Sequence, residues 1–208
     1  IKPPVPYTPG SDVAGVVAAV GEGVDPALIG ARVMAQARAG LAELAVAPAR
    51  AVVRIADAVA FETGAVFQLN YATALHGLRE RAQLRPGERL LVFGAAGGVG
   101  SAAIDVGRML GANVVAVAST PEKRAFALAH GAHAALDTTG EGWRDRLKEA
   151  TGGKGVDVIF DPVCGPLFEP AFRPLAGRGR HLVGGFVGGQ IPALPANLPL
   201  MKGAALIG

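Results

Sequence analysis

The sequence predicts an α/β protein: a parallel sheet with crossover helices over most of its length, beside part of a smaller β-rich domain. Three observations carry this. From Arg89 onward, short runs rich in Val, Ile and Leu alternate with amphipathic stretches, the pattern of buried parallel strands and the helices that cover them. Thirty glycines and fifteen prolines are scattered as turn punctuation rather than gathered in one tract. Toward the N-terminus the periodicity changes to short β-like pieces, each bounded by Gly or Pro.

The first domain, residues 1–55, carries strand candidates at 13–20, 31–35 and 41–46. Two helical stretches follow, 61–69 and 72–82, and open the second domain, residues 56–208. Within it, strands are predicted at 89–93, 113–118, 134–136, 156–160 and 180–183, with a last apolar run at 203–207. Helices are predicted between them at 99–110, 121–130, 142–150 and 166–176. Pro121 suits a first helical position, with Ser119 or Thr120 ahead of it as the cap.

A chain of 208 residues, half of them hydrophobic, can bury one substantial core and part of a second. The net charge is +3, but Arg79, Arg81, Arg85 and Arg89 are interleaved with Glu80 and Glu88, as on an ordinary solvated face. With aromatics at 5%, no stacking surface accompanies these cations, so a nucleic-acid partner is not expected. Cys164 is the single cysteine, which rules out an internal disulfide or a Cys-rich zinc site and points to a reducing compartment, the cytoplasm. No run approaches the roughly 18 apolar residues of a membrane span. The opening IKPPVPYTPG lacks the order of a signal peptide and an initiating methionine, so the sequence reads as the interior of a longer chain.

The sharpest local signal is LLVFGAAGGVGSAAIDVGRMLGA, residues 90–112. A strand entering a glycine turn that opens a helix aims free backbone N–H groups and the helix dipole at one point, where a pyrophosphate can sit. Gly94 permits the turn, Gly97 and Gly98 let the backbone approach the phosphates, and Gly100 lets the helix pack closely on the sheet. The spacing is G-x-x-G-x-x-G, with Ala95 and Ala96 where the usual fingerprint has its second glycine. Glycine turns of other α/β proteins share such a loop, but here a strand precedes it, a helix follows it, and a second strand comes at the right distance. That second strand, NVVAVAST, ends without the acid that accepts an NAD ribose 2′-hydroxyl. It offers Ser119, Thr120, Lys123 and Arg124 instead, which suits a 2′-phosphate and hence NADPH over NADH. Arg124 fits a surface helix residue equally well; Ser119 with Lys123 favours the phosphate.

Taken in order, PGSDVAGVVAAVGEGV, NYATALHGL, GAAGGVGSAAIDVGRMLGA, STPEKR and GVDVIFDPVCGPLFEPAFRPLAGRGRHLVGGF resemble the quinone oxidoreductase and zeta-crystallin group of the medium-chain dehydrogenase/reductase superfamily. The resemblance implies a Rossmann doubly wound sheet, part of a GroES-like catalytic domain, and NADPH in the cleft between them. It also implies a fragment, since the family has further segments before PGSDVAG and after MKGAALIG. Carried over by residue, the cofactor shell is Thr73 near the nicotinamide, Ala96, Gly97, Gly98 and Val99 on the pyrophosphate, Ser119 and Lys123 on the 2′-phosphate, and Gly185 with Phe186 beside the nicotinamide ring. Two departures stand out: LDTT replaces a tyrosine often found after the third strand, and Pro162 stands where the family often has Ser.

The same comparison implies no metal, because Ser11 and Leu69 occupy positions that hold a histidine and a cysteine ligand in the zinc alcohol dehydrogenases. His76, His130, His133 and His181 lack metal-ligand spacing and read as surface or capping residues. The implied activity is hydride transfer from NADPH to a small-molecule electrophile, a quinone or similar conjugated carbonyl. The alternatives are an enoyl reductase acting on a conjugated C=C, and a non-catalytic NADPH-binding protein. Hydride transfer asks the side chains mainly for positioning, so no catalytic residue is named. Asn70 and Tyr71 are placed near the pocket, Tyr71 also fitting a packing residue at a helix start. The resemblance further implies a homodimer through the strand at 203–207.

Overall fold

The structure, a computed structural model, describes residues 4–208. The chain divides into two compact units, one ending at Asn70 and the other beginning at Tyr71.

In the first unit, β1 (Asp12–Val16), β2 (Arg32–Gln36) and β3 (Val52–Arg54) form an antiparallel sheet in that order. Its register pairs Gly15 with Val33 and Met34 with Val53. β1 stops four residues short of the expectation, and β3 was not expected. The strand expected at 41–46 does not form; only an isolated bridge joins Arg38 to Val46. Leu41, Leu44 and Val46 are 73%, 80% and 89% exposed, so among the described residues of this unit no apolar surface rewards ordering that segment as a strand. Helix α1 (Phe61–Leu75) replaces the two helices expected at 61–69 and 72–82, and runs on into a π-helical turn, His76–Arg81. Arg32 of β2 anchors its start: the guanidinium donates to Val59 O at 2.6 Å and lies 4.0 Å over the Phe61 ring. These contacts make the first part of α1 belong to the β-rich unit, and the division between the two compact units falls inside the helix.

The second unit is a six-stranded parallel sheet in the order β6-β5-β4-β7-β8-β9. The strands are β4 (Arg89–Val92), β5 (Asn113–Val117), β6 (Ala134–Leu136), β7 (Val156–Asp161), β8 (Leu175–Val183) and β9 (Ala205–Ile207). This is the doubly wound order, in which the chain reverses direction across the sheet beside β4 and leaves a crevice at the strands' carboxyl ends. Period-two alternation sends Leu90, Val92, Val114, Ala116, Val158, Phe160 and Leu182 into one core with α2 (Gly98–Met109). Leu91, Phe93, Val115, Val117 and Ile159 join the opposite core with Trp143, Leu147 and Phe172. Because both faces are covered, each central strand reads as an unbroken apolar run.

The other helices are α3 (Pro121–Ala129), α4 (Trp143–Ala150), α5 (Phe168–Phe172) and α6 (Asn197–Lys202). Thr120 caps α3, accepting from Lys123 N at 3.3 Å. α5 is far shorter than the expected 166–176, because Leu175 already begins β8, five residues ahead of the expected Arg180. β8 pairs irregularly there, with a register shift between Val156 and Val158 and Arg178 at φ 62°. No helix among the described residues is long and apolar enough to cross a membrane.

Candidate dinucleotide site

The carboxyl ends of β4, β5, β7 and β8 bring three candidate segments to one end of the sheet. At its centre is the turn from β4 into α2. Gly94 adopts φ 60°, a left-handed conformation that costs a side-chain-bearing residue about 1 kcal/mol or more. A Cβ on Gly100 would collide with the Gly94 carbonyl and lie 2.9 Å from Ala95 Cα, so only glycine lets α2 start this close to the turn. Gly97 caps α2 without a side chain. Ser101 N–H reaches back to Gly97 O at 2.8 Å, whereas the N–H groups of Gly98, Val99 and Gly100 donate to no described acceptor. Three free donors at the positive end of a 12-residue helix make a cradle that an anionic oxygen satisfies. The cradle fits a pyrophosphate.

Ala95 N–H donates to Val117 O at 3.2 Å, which ties the glycine turn to the end of β5 and to Ser119 and Lys123 beyond it. Both are exposed, and no described carboxylate lies against the Lys123 ammonium. Arg124 is committed elsewhere. It donates to Ala118 O at 3.0 Å and lies 3.4 Å from Asp137 at the end of β6, so it fastens α3 to the sheet. Hydrogen bonds from Thr139, then the cations Arg124 and Arg146, hold the Asp137 carboxyl below its ordinary range.

On the other side, β7 ends in a turn formed by 161–165, against which the segment carrying Gly185 and Phe186 packs. Gly184 N–H donates to Asp161 O at 2.8 Å and Gly188 N–H to Val163 O at 2.8 Å. Phe186 is 46% exposed, an apolar ring left uncovered at this end of the sheet. Thr73 lies half-buried on α1.

Two residues placed near the pocket are engaged in holding helices. Asn70 Nδ2 donates to Val66 O of its own helix at 2.7 Å. Tyr71 donates to Asp105 of α2 at 2.5 Å, and this bond, then burial, then the Asp105 charge push its phenol up to about 12. A phenol held there is poorly matched to proton transfer near neutral pH. Cys164 is wholly buried, and burial followed by the Asp161 charge pushes its thiol up to about 12, so it is not a nucleophile at neutral pH.

The expectation that all four histidines are surface or capping residues needs correction. His133 does cap, accepting from Val114 N at 3.1 Å, and His130 stacks on Phe126 at 3.9 Å. His181 is fully buried on β8, with Nε2 3.1 Å from Asp161 Oδ2. The signal was present: Asp161 closes an apolar strand, and a carboxylate in that position needs a partner inside the fold. No group of three or more His, Cys, Asp or Glu side chains that could hold a metal occurs among the described residues.

Two family models match the chain: one described as "Zinc-binding dehydrogenase" over residues 98–208, and one described as "Alcohol dehydrogenase GroES-like domain" over residues 1–57. A relative from Nematostella vectensis, named quinone oxidoreductase-like protein 2 homolog, is 36% identical over 210 residues, spanning 100% of this chain and 57% of its own length. Among solved structures, Escherichia coli quinone oxidoreductase complexed with NADPH superposes with a TM-score of 0.88 at 30% identity, over 99% of this chain and 64% of that one. The CurK enoyl reductase superposes with a TM-score of 0.83 at 28% identity, over 96% and 60%. The chain thus spans under two thirds of the length of the proteins it matches.

Proposed function

Because the chain belongs to the quinone oxidoreductase family of the medium-chain dehydrogenase/reductase superfamily, we propose that the whole protein is an NADPH-dependent oxidoreductase that reduces a quinone or similar conjugated carbonyl. The observation that carries the reading is the cradle at the start of α2 joined through β5 to a strand end with no acid, where Ser119 and an uncommitted Lys123 stand. Ala96, Gly97, Gly98 and Val99 would hold the pyrophosphate, Ser119 and Lys123 the 2′-phosphate, and Gly185, Phe186 and Thr73 the nicotinamide side. When bound, NADPH supplies a hydride. The protein's part is to orient the dinucleotide and to exclude water, and no side chain is assigned as a proton donor.

Lys123 gives the phosphate reading a physical argument of its own. It sits in the first turn of α3, where the helix dipole disfavours a cation by about 0.3–1 kcal/mol. A bound 2′-phosphate would reverse that cost.

In this reading the protein works without zinc. Ser11 donates its hydroxyl to Asp12 at 2.7 Å, and Leu69 has no ligand atom. It also pairs with a second copy through β9, the last described strand of the sheet, on which Leu206 is 43% exposed. The acceptor is a small molecule, neither nucleic acid nor membrane lipid, and the compartment is the cytoplasm.

The test is turnover of the full-length protein with NADPH against a panel of quinones and a panel of enoyl thioesters. Quinone reduction is expected. Reduction confined to the enoyl thioesters favours the enoyl reductase reading suggested by the CurK likeness, and NADPH binding with no turnover on either panel favours a non-catalytic role.

A further inference from the structure

A buried hydrogen-bonded pair of this unit, His181 and Asp161, lies beside the candidate site but is not assigned to it. His181 has no exposed surface, Asp161 is 2% exposed, and the pair sits between β8 and the end of β7. The imidazole packs against Phe168 and Phe172, at 4.7 Å and 6.1 Å between ring centres. Its Nδ1 is buried with no hydrogen-bond partner, so the proton that serves the pair is the one on Nε2, donated to Asp161 Oδ2 at 3.1 Å. The other carboxylate oxygen faces the backbone. Oδ1 accepts from Val163 N at 2.9 Å and Cys164 N at 2.8 Å, closing the turn in which Cys164 holds the left-handed φ of 47°.

That turn is the piece against which both flanking segments are seated. Val163 Cγ2 lies 3.2 Å from where a Cβ on Gly94 would be, so it bears directly on the glycine turn. Pro162 O lies 3.0 Å, and Gly165 Cα 2.6 Å, from where Cβ atoms would stand on Gly185 and Gly188, so the nicotinamide-side segment rests on it with no slack.

We propose that His181 and Asp161 are positioning residues: the pair fixes the 161–165 turn, and through it sets the spacing between the glycine turn at Gly94 and the segment 184–188. This rests on the dinucleotide reading for its consequence, but the placement itself does not. A hydrogen-bonded carboxylate with both oxygens used is rigid, and removing the imidazole leaves the buried Oδ2 without its donor. That loss loosens the turn and lets the two cofactor segments drift apart.

The experiment uses the full-length protein and three variants, His181→Phe, which keeps an aromatic ring without a donor, His181→Gln, which restores an N–H toward Asp161, and His181→Leu. Hydrogen exchange is read over 161–165 and 184–188, and binding is read with NADPH and NADH. His181→Phe is expected to speed exchange at both segments together, to weaken dinucleotide binding at least tenfold, and to change kcat less than the cofactor KM. His181→Gln is expected to recover binding to within about threefold of the native protein. A folded His181→Phe protein with native exchange at both segments and native affinity overturns the proposal, as does loss of affinity that His181→Gln fails to recover. Should His181→Phe not fold, His181→Leu decides: it removes the donor to Asp161 Oδ2 with a smaller apolar side chain, and native exchange over 184–188 would overturn the proposal. If the native protein binds neither dinucleotide, the cofactor reading fails, while the exchange measurement still decides the placement.

Discussion

Lys123 is exposed with no described group holding its ammonium, while Arg124 beside it is fixed between Ala118 and Asp137. Two neighbouring cations therefore separate by experiment. Lys123→Ala is expected to weaken NADPH binding at least tenfold and leave NADH nearly unchanged, because a charge-assisted contact to phosphate is worth about 1.5–3 kcal/mol and a solvated surface lysine about 0.5 kcal/mol or less. Equal effects on both dinucleotides in a calorimetric titration would make Lys123 a bystander. Gly100→Ala is expected to abolish binding of both, since its methyl would occupy space held by the Gly94 carbonyl. A native dissociation constant in that variant would show that α2 need not begin where it does. At this scale the sequence was readable where chemistry depends on residue type, as with the glycines and the missing acid after β5. It was opaque where a residue's role depends on what lies opposite it in space. Arg124 was undecidable without Asp137, and His181 was misread because its partner lies twenty positions away on the next strand.

The opposite, amino-terminal ends of the strands carry a different arrangement. Arg89 of β4 grips Asp157 of β7 with Nε and Nη2, both at 2.8 Å. Arg180 of β8 grips Glu88 with Nη1 and Nη2 at 2.9 and 2.7 Å, and also holds Ala82 O at 2.9 Å. Burial alone would raise both carboxyls, but the Arg180 hydrogen bonds on Glu88 and the Arg89 hydrogen bonds on Asp157 outweigh it, and both are lowered. A lowered carboxyl contributes stability above its unfolded value and loses it as pH falls through the folded one. Arg180→Met should therefore cost about 2 kcal/mol at pH 7, a fall of roughly 4–8 °C in Tm. The difference should shrink below the ordinary Glu88 value of 4.5. A Tm difference that stays constant down to pH 3 would place the effect in packing. Strands and helices bounded by glycine turns, such as β4, α2 and β5, were legible to within a residue because periodicity and turn chemistry agree there. The errors fall where they disagree. The segment 166–176 has helical periodicity, but Leu175 finds a better partner in Val156 of β7. The segment 41–46 reads as a β-like piece in sequence, but the structure forms only the isolated bridge from Arg38 to Val46 there.

For the whole protein, the dimer proposed through β9 is tested by light scattering at micromolar concentration, which should return twice the chain mass; a stable monomer would count against it. Purified full-length protein should carry no stoichiometric zinc by elemental analysis; zinc that survives dialysis and is lost on substitution of a described residue would contradict this. The strand order also dictates when the sheet can be finished. β4 lies between β5, which follows it closely, and β7, whose Asp157 is 68 residues downstream of Arg89. While the ribosome is still producing the intervening residues, β4 can dock on β5 and β6 but has one bare edge and half its apolar side chains uncovered. The second half of the sheet is thus a late arrival that must find a waiting, adhesive edge. Refolding is expected to pass through a dye-binding, half-assembled species whose aggregation rises with concentration, and a single concentration-independent phase without it would mean that the far strands close as early as the near ones.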